Sequence, residues 1–205
     1  MIFSDIIFKK IPVEQMYKSQ MEGFGDESLK DFNPMLLSST YVSEKREEGA
    51  EKEFIVSYLE GAKVLMKETY ERQRPMRIKK IFYSYSLALP TIYLCRHCLE
   101  LSLKRAIRLF GRDIKLTHGL EGQWCVFRQC LPEKIISGKE RSLLNRMGEF
   151  IKDIDRLDDN GTRLRYPVQR DKSFSQEQFM WANTKAIVEN TESFVKQMDL
   201  LKQVS

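Results

Sequence analysis

The chain has 205 residues, of which 42% are hydrophobic and 31% charged, with a formal net charge of +5. That is enough chain for one good core with a small appendage, an ordinary mixture for a globular protein, and no run of about 18 apolar residues that would span a bilayer. The start, Met1-Ile2-Phe3-Ser4-Asp5, lacks the basic, apolar and small-residue succession of a secretory signal, so the expected location is the cytoplasm and no membrane partner is expected.

Residues 1–47 read as an N-terminal extension, with Ile6-Ile7-Phe8 and Ile11-Pro12-Val13 as candidate short strands and Gly23, Gly25, Asn33 and Pro34 marking turns. Residues 48–205 read as a helical bundle. Ile55, Tyr58, Leu59, Ala62, Leu65 and Met66 recur at three- and four-residue spacings on one helical face, and Arg74-Pro75 is expected to interrupt that helix. A second helix is expected from about Lys79 to Phe110, with Pro90 kinking it or starting a new segment. Its apolar stripe is Ile92, Cys95, Leu99, Leu103, Ala106 and Phe110, and Gly111 stops it. The third starts at Thr117 as N-cap and runs through Leu120, Trp124, Phe127 and Leu131 to Pro132.

The fourth opens on Ser137-Gly138-Lys139-Glu140, a capping box, carries Leu143, Leu144, Met147, Phe150, Ile151, Ile154 and Leu157 on its core face, and ends at Asp158-Asp159-Asn160-Gly161. The fifth opens on a second box, Ser175-Gln176-Glu177-Gln178, with Phe174 and Phe179 placed as a hydrophobic staple, and continues through Ile187, Phe194, Met198 and Leu201. Helices with short connections predict an all-α, antiparallel bundle of about five helices.

Chemistry concentrates in Tyr93-Leu94-Cys95-Arg96-His97-Cys98-Leu99-Glu100-Leu101-Ser102-Leu103-Lys104. Charged groups on a largely apolar helix are costly unless paired. Arg96 and Glu100 are four apart and His97 and Glu100 three apart, the spacings at which helical side chains meet, so one glutamate is placed to hold both. The two histidines of the chain are His97 and His118, the side chains that titrate nearest neutrality. His118 falls at the start of the third helix, where free backbone N–H groups suit a phosphate and the helix end favours the neutral imidazole of a general base. Arg163-Leu164-Arg165-Tyr166-Pro167 adds two guanidinium forks and an aromatic face on a loop. The four cysteines, Cys95, Cys98, Cys125 and Cys130, sit on predicted helices rather than the turns that zinc knuckles use, and read as small core residues. No metal and no cofactor is expected.

Taken in order, Tyr93–Lys104, His118-Gly119-Leu120-Glu121-Gly122-Gln123-Trp124, Phe150–Asp155 and Leu164-Arg165-Tyr166-Pro167 resemble the HEPN superfamily of helical domains in prokaryotic toxin and defence systems. The likeness covers roughly residues 50–203. It implies a helical bundle, often dimeric, with a cleft that handles RNA. Catalytic members are metal-independent endoribonucleases marked by Arg-x4–6-His, and Arg112 and His118 satisfy that spacing here. The resemblance implies proton transfer by a histidine at the ribose 2′-hydroxyl, a 2′,3′-cyclic phosphate product, and control by an antitoxin or other partner protein.

The expected function is therefore an RNA-binding or RNA-cleaving effector. His118, Arg96, His97 and Glu100 form the candidate catalytic set, and Arg112, Arg165, Tyr166 and Arg163 the candidate nucleic-acid contacts. The alternatives are a catalytically inactive helical module that binds a nucleotide or partner protein, and a zinc-dependent nucleic-acid binder.

Overall fold

The computed structural model describes residues 46–79, 87–112, 118–132, 136, 138–166, 169, 172–173, 175 and 182–201. The candidate strands and turns of residues 1–45 lie outside them, as do Thr117, Ser137, Pro167 and the pair Phe174 and Phe179. The described residues belong to one unit, Tyr41–Ser205. Among them are five helices and no strand: α1 (Arg46–Lys79), α2 (Ala88–Leu109), α3 (Leu120–Cys130), α4 (Gly138–Leu157) and α5 (Thr184–Leu200).

The chain is an all-α bundle, and α2 is its axis. A helix buried on one side shows one apolar stripe; α2 instead buries Ile92, Cys95, Cys98, Leu99, Leu103 and Ile107, which point several ways. It accordingly packs against α1, α5 and α3, while α1 also meets α5 and α4 packs on α3. The main core joins Leu99, Leu103 and Ile107 of α2 to Leu120, Trp124 and Phe127 of α3, Met147, Ile151 and Ile154 of α4, and Phe194 and Met198 of α5. A smaller cluster, Ile55, Leu59, Cys98 and Val195, fills the α1–α2–α5 contact. Among the described residues no helix is long and apolar enough to cross a membrane.

Several boundaries differ from the sequence expectation. α1 runs 34 residues and passes through Pro75, because a proline removes one N–H from the ladder and a helix can absorb that loss locally. Pro90 lies in the first turn of α2, where its missing N–H costs no helical hydrogen bond. α2 stops as expected: Gly111 takes φ +68° and its N–H donates to the Arg108 carbonyl at 2.8 Å. α5 begins at Thr184 rather than Ser175. Asn183 caps it, accepting from the Ala186 N–H at 3.1 Å, whereas the Ser175 hydroxyl donates to the Tyr166 carbonyl. Cys95 and Cys98 are buried as expected, but Cys125 is exposed and Cys130 half-buried, since both lie off the Leu120–Trp124–Phe127 face of α3.

Candidate functional site

Arg96 sits in the third turn of α2 and is 2% exposed. A buried guanidinium needs acceptors for its fork, and three segments supply them. Its Nε donates to the Asp158 carbonyl at 2.8 Å, Nη1 to Glu100 Oε2 at 3.0 Å, and Nη2 to the His118 carbonyl at 2.6 Å. Asp158 itself is fully buried just past the end of α4, and its Oδ1 accepts the Arg163 N–H at 2.9 Å. Gly161 permits this approach. It has φ +76°, and a Cβ there would lie 3.1 Å from Arg96 Nη1. Arg96 thus fastens the loop before α3 and the loop after α4 to α2. Arg96, one of the candidate catalytic residues, therefore has its guanidinium closed to solvent and bound to protein acceptors.

Glu100 is the hinge between this buried tie and the surface. Its Oε1 accepts from Lys104 Nζ at 2.6 Å and lies 3.0 Å from His118 Nδ1. Burial pushes the Glu100 carboxyl up, but the hydrogen bonds and charges of Lys104, His118 and Arg96 outweigh it and hold the group below the usual carboxylate range. An ionised Glu100 accepts only, so Nδ1 of His118 is the donor in this contact. The His118 side chain is 64% exposed. The histidine that Glu100 holds is therefore His118, from outside the helix, and not His97.

His97 turns the other way. It is half-buried and meets Tyr58 of α1 edge-on, with centroids 4.6 Å apart, and lies nearly parallel to Tyr93 at 6.1 Å. Burial lowers its pKa; Glu100 opposes this, while Lys104, Arg96 and Arg165 add to it.

The α3 N-terminus is not free for a phosphate. Asp155 of α4 reaches across, and its Oδ1 accepts the Leu120 N–H at 2.7 Å, so the cap that a serine or threonine would supply locally comes from another helix. Burial raises the Asp155 pKa against the pull of those N–H groups and of Arg96.

Arg163 and Arg165 lie exposed on the loop after α4. Arg163 Nε pairs with Asp159 at 3.2 Å. Arg165 Nε donates to the Gly161 carbonyl at 2.6 Å, and its guanidinium lies over the rings of Tyr93 and Tyr166. Arg112 is exposed just past the end of α2, and among the described residues no contact ties it to His118. The structure thus joins Arg96, Glu100 and His118 directly, links Arg165 and Tyr166 to His97 through Tyr93, and leaves Arg112 apart.

Sequence reasoning named Tyr93 and Asp155 within its marked segments, Gly161 as a helix stop and Tyr58 as a core position, but gave none of the four a part in this region. Tyr93 had a signal, its four-residue spacing from His97; Asp155 had none in its own neighbourhood. Among the described residues no group of three His, Cys, Asp or Glu side chains is gathered as metal ligands. A cavity of about 490 Å³ lies elsewhere, between α1 and α5, lined by Lys63, Met66, Tyr70 and Val188 among others.

No family model matches the chain, and no curated protein or solved structure does so either.

Proposed function

We propose that this chain is a HEPN-like RNA-associated protein in which the Glu100–His118 pair carries out metal-independent cleavage of RNA. The observation that carries the reading is the 3.0 Å contact between Glu100 Oε1 and His118 Nδ1 beneath a ring left 64% exposed. In this reading Glu100 fixes the tautomer, and Nε2 takes the proton of a ribose 2′-hydroxyl. The 2′ oxygen attacks the adjacent phosphorus, the bond to the 5′ oxygen breaks, and that oxygen takes a proton from water. The products are a 2′,3′-cyclic phosphate and a 5′-hydroxyl. Arg163 and Arg165 stand by as exposed phosphate forks. Arg96 and Lys104 are positioning residues, holding Glu100 and the His118 backbone. The proposed setting is the cytoplasm, as a toxin or defence effector held in check by a partner protein and working as a homodimer.

The test is incubation of the purified protein with total RNA in EDTA, with the 3′ ends of the products analysed for cyclic phosphate. Replacing a general base typically costs about 10²- to 10⁴-fold, and His118→Ala is expected to lose cleavage to that degree. Undiminished cleavage by that variant overturns the assignment.

A second reading, a non-catalytic module that binds a nucleotide or partner protein, is favoured by the burial of Arg96 and its three protein acceptors. A chain that binds RNA and never cleaves it belongs to this reading.

A further inference from the structure

Beside the acid–base pair, three segments distant in sequence bring aromatic rings and one permanent cation into a row. Tyr58 comes from α1, Tyr93 and His97 from α2, and Arg165 and Tyr166 from the loop after α4. The His97 ring meets Tyr58 edge-on, with an interplanar angle of 85°, and lies within 8° of parallel to Tyr93. The Arg165 guanidinium carbon is 5.8 Å from the Tyr93 centroid and 5.6 Å from that of Tyr166, both within cation–π range. The hydrogen bond from Arg165 Nε to Gly161 holds that guanidinium in place.

One end of the row is wet. Tyr58, Tyr93 and His97 are half-buried, whereas Tyr166 is 55% exposed. Packing explains the inner rings. It does not explain a tyrosine held outside the core against an arginine, on a loop tied down by Arg96, Asp158 and Ser175. A fixed ring face beside a planar cation matches the repeating unit of a single strand, a base to stack and a phosphate to neutralise. A duplex hides its base faces inside its own stack. Arg163, exposed and paired with Asp159 at 3.2 Å, adds a second guanidinium on the same loop.

We infer that Tyr166, backed by Arg165 and Tyr93, is a nucleobase-stacking subsite for single-stranded RNA. His97 stands three residues before Glu100 on α2, about 4.5 Å along the axis, so the row lies beside the pair that the cleavage reading uses. The inference deepens that reading and rests on it for the identity of the ligand as RNA. Tyr166 supplies the stacking face, Arg165 stiffens it and offers its outer N–H groups to phosphate, and unpaired bases are selected because only they expose a face.

The experiment uses the full chain and a 2′-O-methyl single-stranded oligonucleotide containing 2-aminopurine, which cannot be cleaved through the 2′ oxygen. Stacking on Tyr166 quenches the probe on binding. Tyr166→Ala is expected to weaken binding by about 5- to 50-fold and remove the quench, and Tyr166→Trp to restore both. Arg165→Gln is expected to lower the slope of log affinity against log salt by about 0.7, a change Tyr166→Ala does not make. A blunt duplex of the same sequence is expected to compete at least tenfold more weakly. Absence of binding, equal affinity of Tyr166→Ala and the unaltered chain, or equal competition by the duplex overturns the subsite. If RNA is cleaved in a His118-dependent way while Tyr166→Ala leaves affinity and KM unchanged, the subsite falls and the cleavage reading stands. If the probe binds through Tyr166 and no RNA is cleaved, the cleavage reading falls and the subsite stands.

Discussion

Arg96 and Arg105 sit on the same helix nine residues apart, which at 3.6 residues per turn places them on opposite faces. Both are almost closed to solvent, at 2% and 3% exposure. Arg105 works from helix to helix. Its Nη1 donates to Asp199 of α5 at 2.9 Å, and Asp199 also takes Lys52 of α1 at 3.1 Å. Arg96 works from helix to loop, with two of its three acceptors being backbone carbonyls on separate connections. Residue type and burial are alike, so the partners decide the role. Arg105 reinforces a contact that Ile55, Leu59, Cys98 and Val195 already secure. Arg96 secures loops with little apolar surface of their own, and those loops carry His118, Arg163 and Arg165.

The contrast predicts unequal losses. Arg96→Met leaves a buried carboxylate short of its partner and two carbonyls without a donor, and removing one member of a buried pair costs about 3–5 kcal/mol. Arg105→Met leaves Asp199 with Lys52 and with its 29% exposure to water, and is expected to cost about 1–2 kcal/mol. Urea denaturation of the two variants gives the comparison directly. Equal losses, or a larger loss at Arg105, would show that the helix contacts and not the loops depend on buried arginine.

The same contrast marks what the sequence could tell. Helical periodicity placed the core faces of α3 and α4 well, because Trp124, Phe127, Ile151 and Ile154 repeat at the spacing that one buried side requires. The Arg96–Glu100 pair was legible too, being local to one helix. Contacts between segments were not. Spacing along α2 offered His97 to Glu100, but the imidazole that arrives is His118, 18 residues away in sequence. A cap supplied by Asp155 from a different helix leaves no pattern around Leu120. Ser175 matched a capping box, and its hydroxyl donates to the Tyr166 carbonyl; Gln176, Glu177 and Gln178 of that box lie outside the described residues.

Glycine sharpens the loop side of the comparison. Gly111 and Gly161 both have positive φ, +68° and +76°, but a Cβ at 111 meets nothing within 4 Å while one at 161 lies 3.1 Å from Arg96 Nη1. Gly111→Ala is expected to cost about 1 kcal/mol, the backbone term alone. Gly161→Ala is expected to cost about 2 kcal/mol, because it also pushes on the guanidinium. The excess should vanish when Gly161→Ala is made on an Arg96→Met background, which thermal and urea melts of the double variant would reveal. Strict additivity would detach Gly161 from Arg96 and leave the turn as its only reason.

The smallest effect concerns how dry this face of α2 is. Burial holds His97 below its ordinary value of 6.5, with Lys104, Arg96 and Arg165 acting in the same direction and Glu100 against. The folded chain therefore binds this proton less readily than the unfolded chain. Its share of stability is present in full above the ordinary pKa and is lost as the pH falls through the lower folded value. The urea midpoint is expected to decline between about pH 7.5 and pH 5.5. His97→Phe keeps a ring against Tyr58 and Tyr93 and should flatten that part of the decline, by less than either glycine effect. An unchanged slope would mean that the imidazole already titrates as it does in water. Solvent would then reach past His97 toward the Arg96 tie, and the division of α2 into a wet rim and a dry clamp would not hold.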